Sequence, residues 1–328
     1  MNNIIRICIA TFYFFTGIFI ANANNILNKS ETVYLINPYS PGSASDRTLR
    51  YLKDKIDKKY PEKYNILIES KVGVGGDLAA QYVATYTGKE TYILLNGNSF
   101  IFYNYNNDNP RYDYKNINPI AYLGYYPNIL VVNSKKLPNV KNWEDFKNIA
   151  NSDNLNYGSS GIGSGAHLQT EYLNYILDKK FKHIPYKGAA AALPDLLSGE
   201  IDFMFMFPNQ TYQHQILQPL VSFSEKRIVE YPNVPSYKEL KIPNDTYIKT
   251  WIGLFSNKYA NPSVIKDIKD ILNEIYSTES GRKEMEYYSD LHVEKSNITK
   301  DFSILINLEM SQYKKISEKI IAFRPIFK

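Results

Sequence analysis

The feature that most restricts the fold of this chain is an alternation of short apolar segments with helix-like segments along most of its length. In the first series, the apolar segments lie at 33–36, 66–68 and 92–95, and the helical patterns lie at 44–55 and 77–86. Strands and helices that alternate in this order form a mostly parallel sheet with helices on both faces. The sequence therefore predicts an α/β fold.

A second series of the same kind follows. Its predicted strands lie at 128–132, 155–158, 183–186, 202–207 and 220–223, and its predicted helices at 143–149, 166–177 and 188–197. Beyond Tyr247 a single strand at 251–255 precedes two helices, one starting at Pro262 and one over 299–322. Because these helices bring no further strand, we expect the chain to return and cover its first half. The Asn- and Tyr-rich stretch 103–114 is predicted to be a loop.

The N-terminus carries the pattern of a secretory signal peptide. Arg6 supplies a positive charge, residues 7–20 are apolar apart from two threonines, and Ala21-Asn22-Ala23 is a cleavage site of the A-x-A type. This apolar run is shorter than the roughly twenty residues of a membrane span, although an uncleaved anchor helix stays open as an alternative. We therefore predict a signal peptide over 1–23 and a periplasmic protein.

Cysteine usage and charge exclude several classes of protein. The single cysteine, Cys8, lies inside the predicted signal peptide, so a disulfide scaffold and a multi-cysteine metal site are excluded. The four histidines are scattered, which argues against a histidine metal site. The net charge of +5 includes no run of five like charges, so no nucleic-acid tail is indicated. We expect no metal, no cofactor and no nucleic-acid partner.

The first candidate binding segment is Pro38–Asp46, which joins a predicted parallel strand to a helix. In open α/β sheets, ligands bind at this end of the strands. The first helical amides have no intrahelical partner and attract anions, while Ser40, Ser43 and Ser45 add hydroxyl donors. Because Ser43 and Asp46 have capping-box spacing, a capping role and a ligand contact both stay open for Asp46.

The second candidate segment, Gly158–His167, also lies between a strand and a helix. Its glycines let backbone amides approach a ligand and its serines donate hydrogen bonds, although a flexible connector is the alternative. His167 falls in the first turn of the helix, where packing or capping is the commoner role. The serine spacing does not fit the G-x-S-x-G turn of a hydrolase, so nucleophilic catalysis is not expected.

Two further segments connect strands to helices. Gly73–Gly76 lacks the third glycine of a dinucleotide-binding fingerprint, because that position is Leu78, and we predict a tight, closely packed turn. His183–Leu193 is rich in small residues that let a helix approach the sheet. Within it, Lys187 either attracts an anion or is simply solvated.

Together these segments resemble the Bug family, the TctC-like solute-binding receptors of tripartite tricarboxylate transporters, over essentially the whole mature chain. Pro38–Asp46 with Arg50 is similar to the family's P-F-x-P-G-G-x-x-D-x-x-x-R opening, and Glu69–Gly76 to its E-N-x-x-G-A-G-G segment. Tyr157–Leu168 resembles S-x-G-x-G-S-x-x-H-L, and His183–Asp202 resembles H-V-P-Y-[KR]-G followed by D-L-L-x-G-x-[IV]-D.

The resemblance implies a type II periplasmic-binding-protein fold, with two α/β lobes, a hinge that the chain crosses twice and a ligand cleft between the lobes. Lobe I then comprises 24–123 plus 251–328, and lobe II comprises 124–250. The family holds the carboxylate of a small ligand mainly by main-chain amides and hydroxyls of two facing loops. Ser43 replaces a family glycine and changes the lining of this cleft.

We therefore predict an extracytoplasmic solute-binding receptor, not an enzyme, that captures a small carboxylate by clamshell closure. As a monomer it would deliver this ligand to a multi-span membrane transporter. In this scheme Tyr39 forms an apolar wall, and Tyr186 and Lys187 edge the cleft. The predicted ligand-binding residues are Tyr39, Ser40, Ser43, Ala44, Ser45, Asp46, Ser159, Ser160, Gly161, Gly163, Ser164, His167, Tyr186 and Lys187.

Three alternatives stay open at this point. The first is a sensory component that presents its ligand to a membrane histidine kinase. The second is a secreted serine hydrolase that uses Ser164 and His167, and the third is a structural envelope protein that binds no ligand.

Overall fold

The computed structural model describes residues 30–101, 110–150, 154–243, 250–293 and 302–319. The predicted signal peptide, 1–23, and most of the predicted loop at 103–114 lie outside these residues. Within them the chain forms two five-stranded sheets with helices on both faces of each, which confirms the predicted α/β class.

The first sheet combines strands from the beginning of the chain with one strand from near its end. Its members are β1 (Glu31–Asn37), β2 (Tyr64–Ser70), β3 (Thr91–Gly97), β4 (Ile117–Tyr126) and β10 (Thr250–Asn257). They are arranged in the order β2-β1-β3-β10-β4. β1 pairs in parallel with β2 and β3, and β10 runs antiparallel to β3 and β4.

The second sheet repeats this plan with the strands from the middle of the chain. Its members are β5 (Ile129–Asn133), β6 (Asn156–Ser159), β7 (Lys182–Pro185), β8 (Phe203–Met206) and β9 (Leu217–Ser222). Their order is β7-β6-β8-β5-β9, with β6 parallel to β7 and β8, and β5 antiparallel to β8 and β9. In each sheet the strand that arrives from the other half of the molecule is therefore antiparallel to its neighbours.

The chain passes between the sheets twice, and the two passages lie side by side. The first passage joins Tyr126 at the end of β4 to Ile129 at the start of β5, and the second leads into β10. Asn128 lies in the first passage, and its Nδ2 donates to Oγ1 of Thr250 in the second at 3.2 Å. These paired passages are where a hinge would lie, while the exact lobe boundaries stay a prediction.

Nine α-helices complete the described part of the chain. They are α1 (Ala44–Lys59), α2 (Asp77–Ala84), α3 (Trp143–Ala150), α4 (Gly165–Leu177), α5 (Ala189–Ser198), α6 (Pro208–Tyr212), α7 (Pro262–Ser277), α8 (Glu279–Ser289) and α9 (Phe302–Lys319). Short 3-10 turns cover Val74–Gly76 and Tyr114–Asn116. None of the described helices has the length and hydropathy that crossing a bilayer requires.

Each sheet separates two hydrophobic cores, because successive side chains of a strand point to opposite faces. In the first sheet, Val33 of β1 belongs to a core with residues of α1, α7 and α8, whereas Ile36 belongs to a core with residues of α2 and α9. In the second sheet, α3 and α4 pack on one face and α5 on the other. The C-terminal helices thus cover the first sheet.

The packing of α9 on the first sheet predicts that substitutions at two of its residues lower the stability of the protein by very different amounts. Phe302 is 2% exposed and contacts the rings of Trp251 and Phe255, whereas Ile304 is 57% exposed. Phe302→Ala should lower the free energy of unfolding by about 3–5 kcal/mol, because it leaves a cavity in the core. Ile304→Ala on the same helix should cost about 0.5 kcal/mol or less. Urea unfolding measures both, and equal losses would contradict this packing.

Candidate ligand-binding site

A cavity of about 390 Å³ lies where the two sheets meet. One side is formed by residues that follow β1 and β3 in the first sheet, and the other by residues that follow β6, β7 and β8 in the second. These are the carboxyl ends of the parallel strands, where open α/β sheets bind their ligands. The cavity is therefore the candidate binding site.

Besides the short helix α6, three helices begin at this cavity. The first-turn residues Ala44 and Ser45 of α1, Gly165 and Ala166 of α4, and Ala189 and Ala190 of α5 all line it. The first amides of a helix have no acceptor within the helix, and the helix dipole adds partial positive charge at the same end. Three such ends at one cavity form an environment that favours an anion.

The loop before α1 is held by the residues at the start of the helix. Ser43 is the N-cap, and its Oγ accepts a hydrogen bond from the amide of Asp46. The buried Asp46 carboxylate accepts from the amide of Gly42 at 2.9 Å and from Nε of Arg50 at 2.8 Å. Asp46 does not line the cavity. Of the two roles left open by the sequence, this geometry supports that of holding the loop.

Several side-chain hydroxyls that line the cavity, from the loop after β1 to the first turn of α1, already donate hydrogen bonds within the protein. Ser45 donates to Oδ1 of Asn37 at 2.8 Å, and Ser40 donates across the cleft to the carbonyl of Lys187 at 3.1 Å. The Tyr39 hydroxyl donates to the carbonyl of Gly75 at 3.3 Å, and burial raises the pKa of Tyr39 to about 12. Tyr39 therefore remains protonated at neutral pH and presents its ring to the cavity.

The structure brings half of the predicted residues to the cavity wall. Those that line it are Tyr39, Ser40, Ser43, Ala44, Ser45, Ser160 and Lys187. Those that lie behind the wall are Asp46, Ser159, Gly161, Gly163, Ser164, His167 and Tyr186. The second group shapes the loops rather than the surface of the cavity, and the role of every residue in binding stays a prediction.

Two stacked histidines support the loop between β6 and α4. The rings of His167 and His183 lie 4.0 Å apart between centroids. Nδ1 of His167 accepts from the amide of Gly163 at 2.9 Å, and Nε2 of His183 lies 2.7 Å from Oγ of Ser159. Both ends of the loop are thus fixed by imidazoles. Burial lowers the pKa of His183 to about 4 and that of His167 well below its usual value, so both rings are neutral at pH 7.

Two other predicted residues are also engaged in structural contacts. Ser164 is the N-cap of α4, and its Oγ accepts from the main-chain amide of His167 rather than contacting the imidazole. The Tyr186 hydroxyl donates to the Asp195 carboxylate. Because Ser164 and the His167 ring do not form a nucleophile–base pair, the arrangement does not support the hydrolase alternative.

Part of the remaining wall comes from the three segments that the sequence singled out, namely Pro41, Gly42, Gly165, Ala166 and residues 188–191. The other lining residues lie outside those segments: Gly97 at the end of β3, Asn98 and Ser99 after it, Tyr126 and Asn128 at the first passage, Phe205, Met206 and Phe207 at β8, Gln210 in α6, and Thr250 and Ile252 in β10. The rings of Tyr126 and Phe207 stack with centroids 4.1 Å apart. Ligands bind at the carboxyl ends of strands in open α/β sheets, and this rule, which predicts the loop after β1, applies equally to β3 and β8. Applied there, it would have identified part of this group.

The charge of the wall is low. Among the described residues that line the cavity, Lys187 is the only cation, and none of them is a carboxylate. Nor does the described part of the chain contain a cluster of three or more His, Cys, Asp or Glu residues suited to a metal ion. An anion in this cavity would therefore be stabilised by backbone amides and hydroxyls, with Lys187 at the exposed edge.

Comparison with known proteins agrees with this arrangement. The sequence profile described as "Tripartite tricarboxylate transporter family receptor" matches residues 48–321. The protein BugT of Bordetella pertussis is 25% identical over 270 residues, which cover 79% of this chain and 82% of BugT.

Two solved structures have the same fold. One is that of the periplasmic binding protein BugD, and the other is that of R. palustris Rpa4515 with adipate. Each gives a TM-score of 0.77 at 21% identity and covers 88% of this chain and 97% of its own. The predicted type II periplasmic-binding-protein fold is confirmed by this similarity.

The histidine pair predicts a loss of stability in mild acid. Because the folded pKa of each ring lies below about 6.5, these two histidines bind more protons in the unfolded chain than in the folded chain between about pH 4 and 6.5. Their contribution to the free energy of unfolding should therefore fall as the pH drops through this range, by up to about 1.4 kcal/mol per pH unit for each unmatched proton, while the raised pKa values of Asp77 and Glu171 act in the opposite direction. Urea unfolding at pH 7, 6 and 5 measures this loss.

The variant His183→Gln serves as the control, since glutamine does not titrate but can still hydrogen-bond to Ser159. Its stability should fall less steeply than that of the parent over the same range. The comparison is needed because burial raises the pKa of Asp77 to about 6, which contributes a dependence of opposite sign in both proteins. Equal slopes in the two proteins would contradict the prediction.

Proposed function

The chain belongs to the tripartite tricarboxylate transporter family of receptors, and from that premise we propose that it captures a small carboxylate in the cavity between its two halves. The observation that carries this proposal is the convergence of three helix N-termini on one cavity whose described wall holds no carboxylate. The adipate in the R. palustris structure, which has the same fold, supports a carboxylate as the ligand class.

The first-turn amides of α1, α4 and α5 donate to the ligand carboxylate in this proposal. Ser160 adds a hydroxyl, and Lys187 attracts the anion from the edge of the cleft. The rings of Tyr39, Tyr126 and Phe207 pack against the carbon skeleton of the ligand. Micromolar binding needs about 8 kcal/mol, and charge-assisted hydrogen bonds contribute about 1.5–3 kcal/mol each before ordering costs. Three such bonds reach this value only at the upper end of the range, so the proposal needs several hydrogen bonds together with burial of the carbon skeleton.

Capture takes place by rotation of one lobe against the other. The lobes are 24–123 plus 251–328 and 124–250, and the two adjacent chain passages near Asn128 and Thr250 act as the hinge. Closure brings Ser40 to the Lys187 carbonyl, as the 3.1 Å hydrogen bond between them supports. It also excludes water from the helix ends, where hydrogen bonds to an anion are stronger in a low dielectric.

The receptor is exported through the signal peptide at 1–23, works in the periplasm as a monomer, and passes its ligand to a multi-span membrane transporter. Membership of a transporter receptor family supports this delivery step. In this proposal the protein binds its ligand without converting it, which membership of a receptor family supports.

A thermal-shift screen of carboxylates tests the proposal. At 100-fold excess over Kd, a ligand that binds only the folded chain adds about 2.7 kcal/mol, which raises the Tm by several degrees. Adipate is the first probe, in a panel with shorter dicarboxylates and aromatic monocarboxylates. Mass spectrometry of the gently purified protein identifies any carboxylate already bound. The proposal is wrong if no member of the panel raises the Tm and no carboxylate is released.

The variant Ala44→Pro tests whether a backbone amide of α1 holds the ligand. Proline at the first helical position removes this amide without breaking the helix, and Ser43 already has the extended conformation that proline requires before it, with φ −65° and ψ 166°. The affinity for the best panel member should fall about ten-fold or more, with little change in Tm. In the control Ala44→Gly, which keeps the amide, calorimetry should show nearly parental affinity. Equal affinities would remove α1 from the site.

A further inference from the structure

We propose that Gly75 is the residue that allows the two halves to close, because its missing side chain lets one backbone segment sit directly on another. The first segment is the turn 73–76, which follows β2 in the first half. The second is the loop 161–164, which precedes α4 in the second half. This inference rests on the proposed function and assigns a positioning role to a glycine outside the cavity wall.

The contact between the two segments is backbone against backbone. A Cβ atom added to Gly75 would lie 2.7 Å from the carbonyl oxygen of Ile162, 2.7 Å from the amide nitrogen of Ser164 and 2.9 Å from the carbonyl carbon of Gly163. Such distances are far inside van der Waals contact, and no flexible side chain is involved that could move aside. Any residue other than glycine would therefore hold the two segments apart.

The facing loop is fixed and cannot relieve this clash by moving. The stacked rings of His167 and His183 hold it through the amide of Gly163 and Oγ of Ser159. The amide of Ser164 additionally donates to the carbonyl of Gly161 at 3.1 Å. A side chain at position 75 would thus have to be accommodated by a wider separation of the two halves.

Backbone conformation alone does not reserve this position for glycine. Gly75 has a φ of +58°, but its neighbour Val74 adopts a φ of +47° in the same turn despite its branched side chain. The turn is held in this shape by a hydrogen bond from the amide of Gly76 to Gly73 and by another from Nδ2 of Asn96 to Gly76, both 3.0 Å long. The turn therefore tolerates a residue with a side chain at a positive φ. The contact of Gly75 with the loop 161–164 restricts position 75 to glycine more strongly than its φ value does.

The turn is connected to the ligand cavity through the Gly75 carbonyl. This oxygen accepts hydrogen bonds from the Tyr39 hydroxyl at 3.3 Å and from Ser99 Oγ at 2.8 Å, and both of these residues line the cavity. On the other side of the cleft, Ser160 and Gly165 flank the facing loop 161–164, and both also line the cavity. A ligand that draws the two walls together would bring Gly75 onto the loop, so this contact sets how far the halves close.

The variant Gly75→Ala tests this role, with Gly199→Ala as the matched control. Gly199 also has a positive φ, of +87°, but the three atoms nearest to a Cβ there all belong to side chains: two of Lys136, at 3.3 and 3.6 Å, and Nδ2 of Asn133, at 3.7 Å. Both variants pay a similar backbone cost, so their Tm values without ligand should be similar. Calorimetry with adipate should show an affinity loss of about ten-fold or more for Gly75→Ala, through faster release, and less than about two-fold for Gly199→Ala.

Closure itself is measured by spin labels on the two halves. In a Cys8→Ser background the chain contains no other cysteine, so Lys89→Cys and Lys180→Cys, both at exposed positions, carry the labels. Adipate should shorten the distance between the labels in the parent and in Gly199→Ala, but less in Gly75→Ala. A purely structural role of Gly75 would lower the Tm and leave this shortening unchanged.

The outcomes separate the inference from the function on which it rests. If neither adipate nor another panel carboxylate binds the parent chain, the proposed function fails. If the parent binds and Gly75→Ala binds and closes equally well, the role of Gly75 is wrong. Hydrogen exchange on the parent provides a test that needs no variant: adipate should slow exchange in peptides covering 73–76 and 161–164, and unchanged rates in both would overturn the inference.

Discussion

The proposed binding site depends on one electrostatic arrangement, in which the amino-terminal ends of α1, α4 and α5 lie at one cavity. This arrangement follows from topology rather than from a particular set of side chains. Each of these helices follows a parallel strand, and the carboxyl ends of parallel strands lie at one edge of a sheet. Because the two sheets meet at these edges, their helix ends converge and partial positive charge accumulates without a cluster of arginines.

Behind the helix ends lies a layer of side chains that fixes the loops. Ser43 and Ser164 cap α1 and α4, and Asp46 joins the amide of Gly42 to Arg50. The serine and aspartate side chains that the sequence singles out are thus largely occupied in holding the backbone, while small residues at the helix starts line the cavity. A preorganised backbone donor does not lose side-chain entropy when it binds, which suits a site that holds its ligand by several hydrogen bonds.

The sequence predicts the fold well because its helices and parallel strands are strongly patterned, but it misses elements that depend on tertiary contacts. β4 contains Pro119 and Gly124, which weaken a strand pattern, and α8 buries only Met285 and Ser289, too few for a clear helical periodicity. In the site, the loops after β1 and β6 are found by rule. Tyr126 and Thr250 are missed because no local spacing shows where the chain passes from one sheet to the other.

A binding site made of backbone amides allows the fold to persist at about one identical residue in five. The solved structure of BugD superposes with a TM-score of 0.77 at 21% identity. If backbone amides bind the ligand, the side chain at such a position need only be small enough for the ligand to reach the backbone. Ala44, Gly165 and Ala189 all meet that condition. Side chains on the remaining wall, such as Tyr126 and Phe207, are then free to change with the carbon skeleton of the ligand. Under the proposed function, specificity would reside in the aromatic side chains of the wall, whereas the ability to bind an anion would reside in the helix ends that the fold brings together.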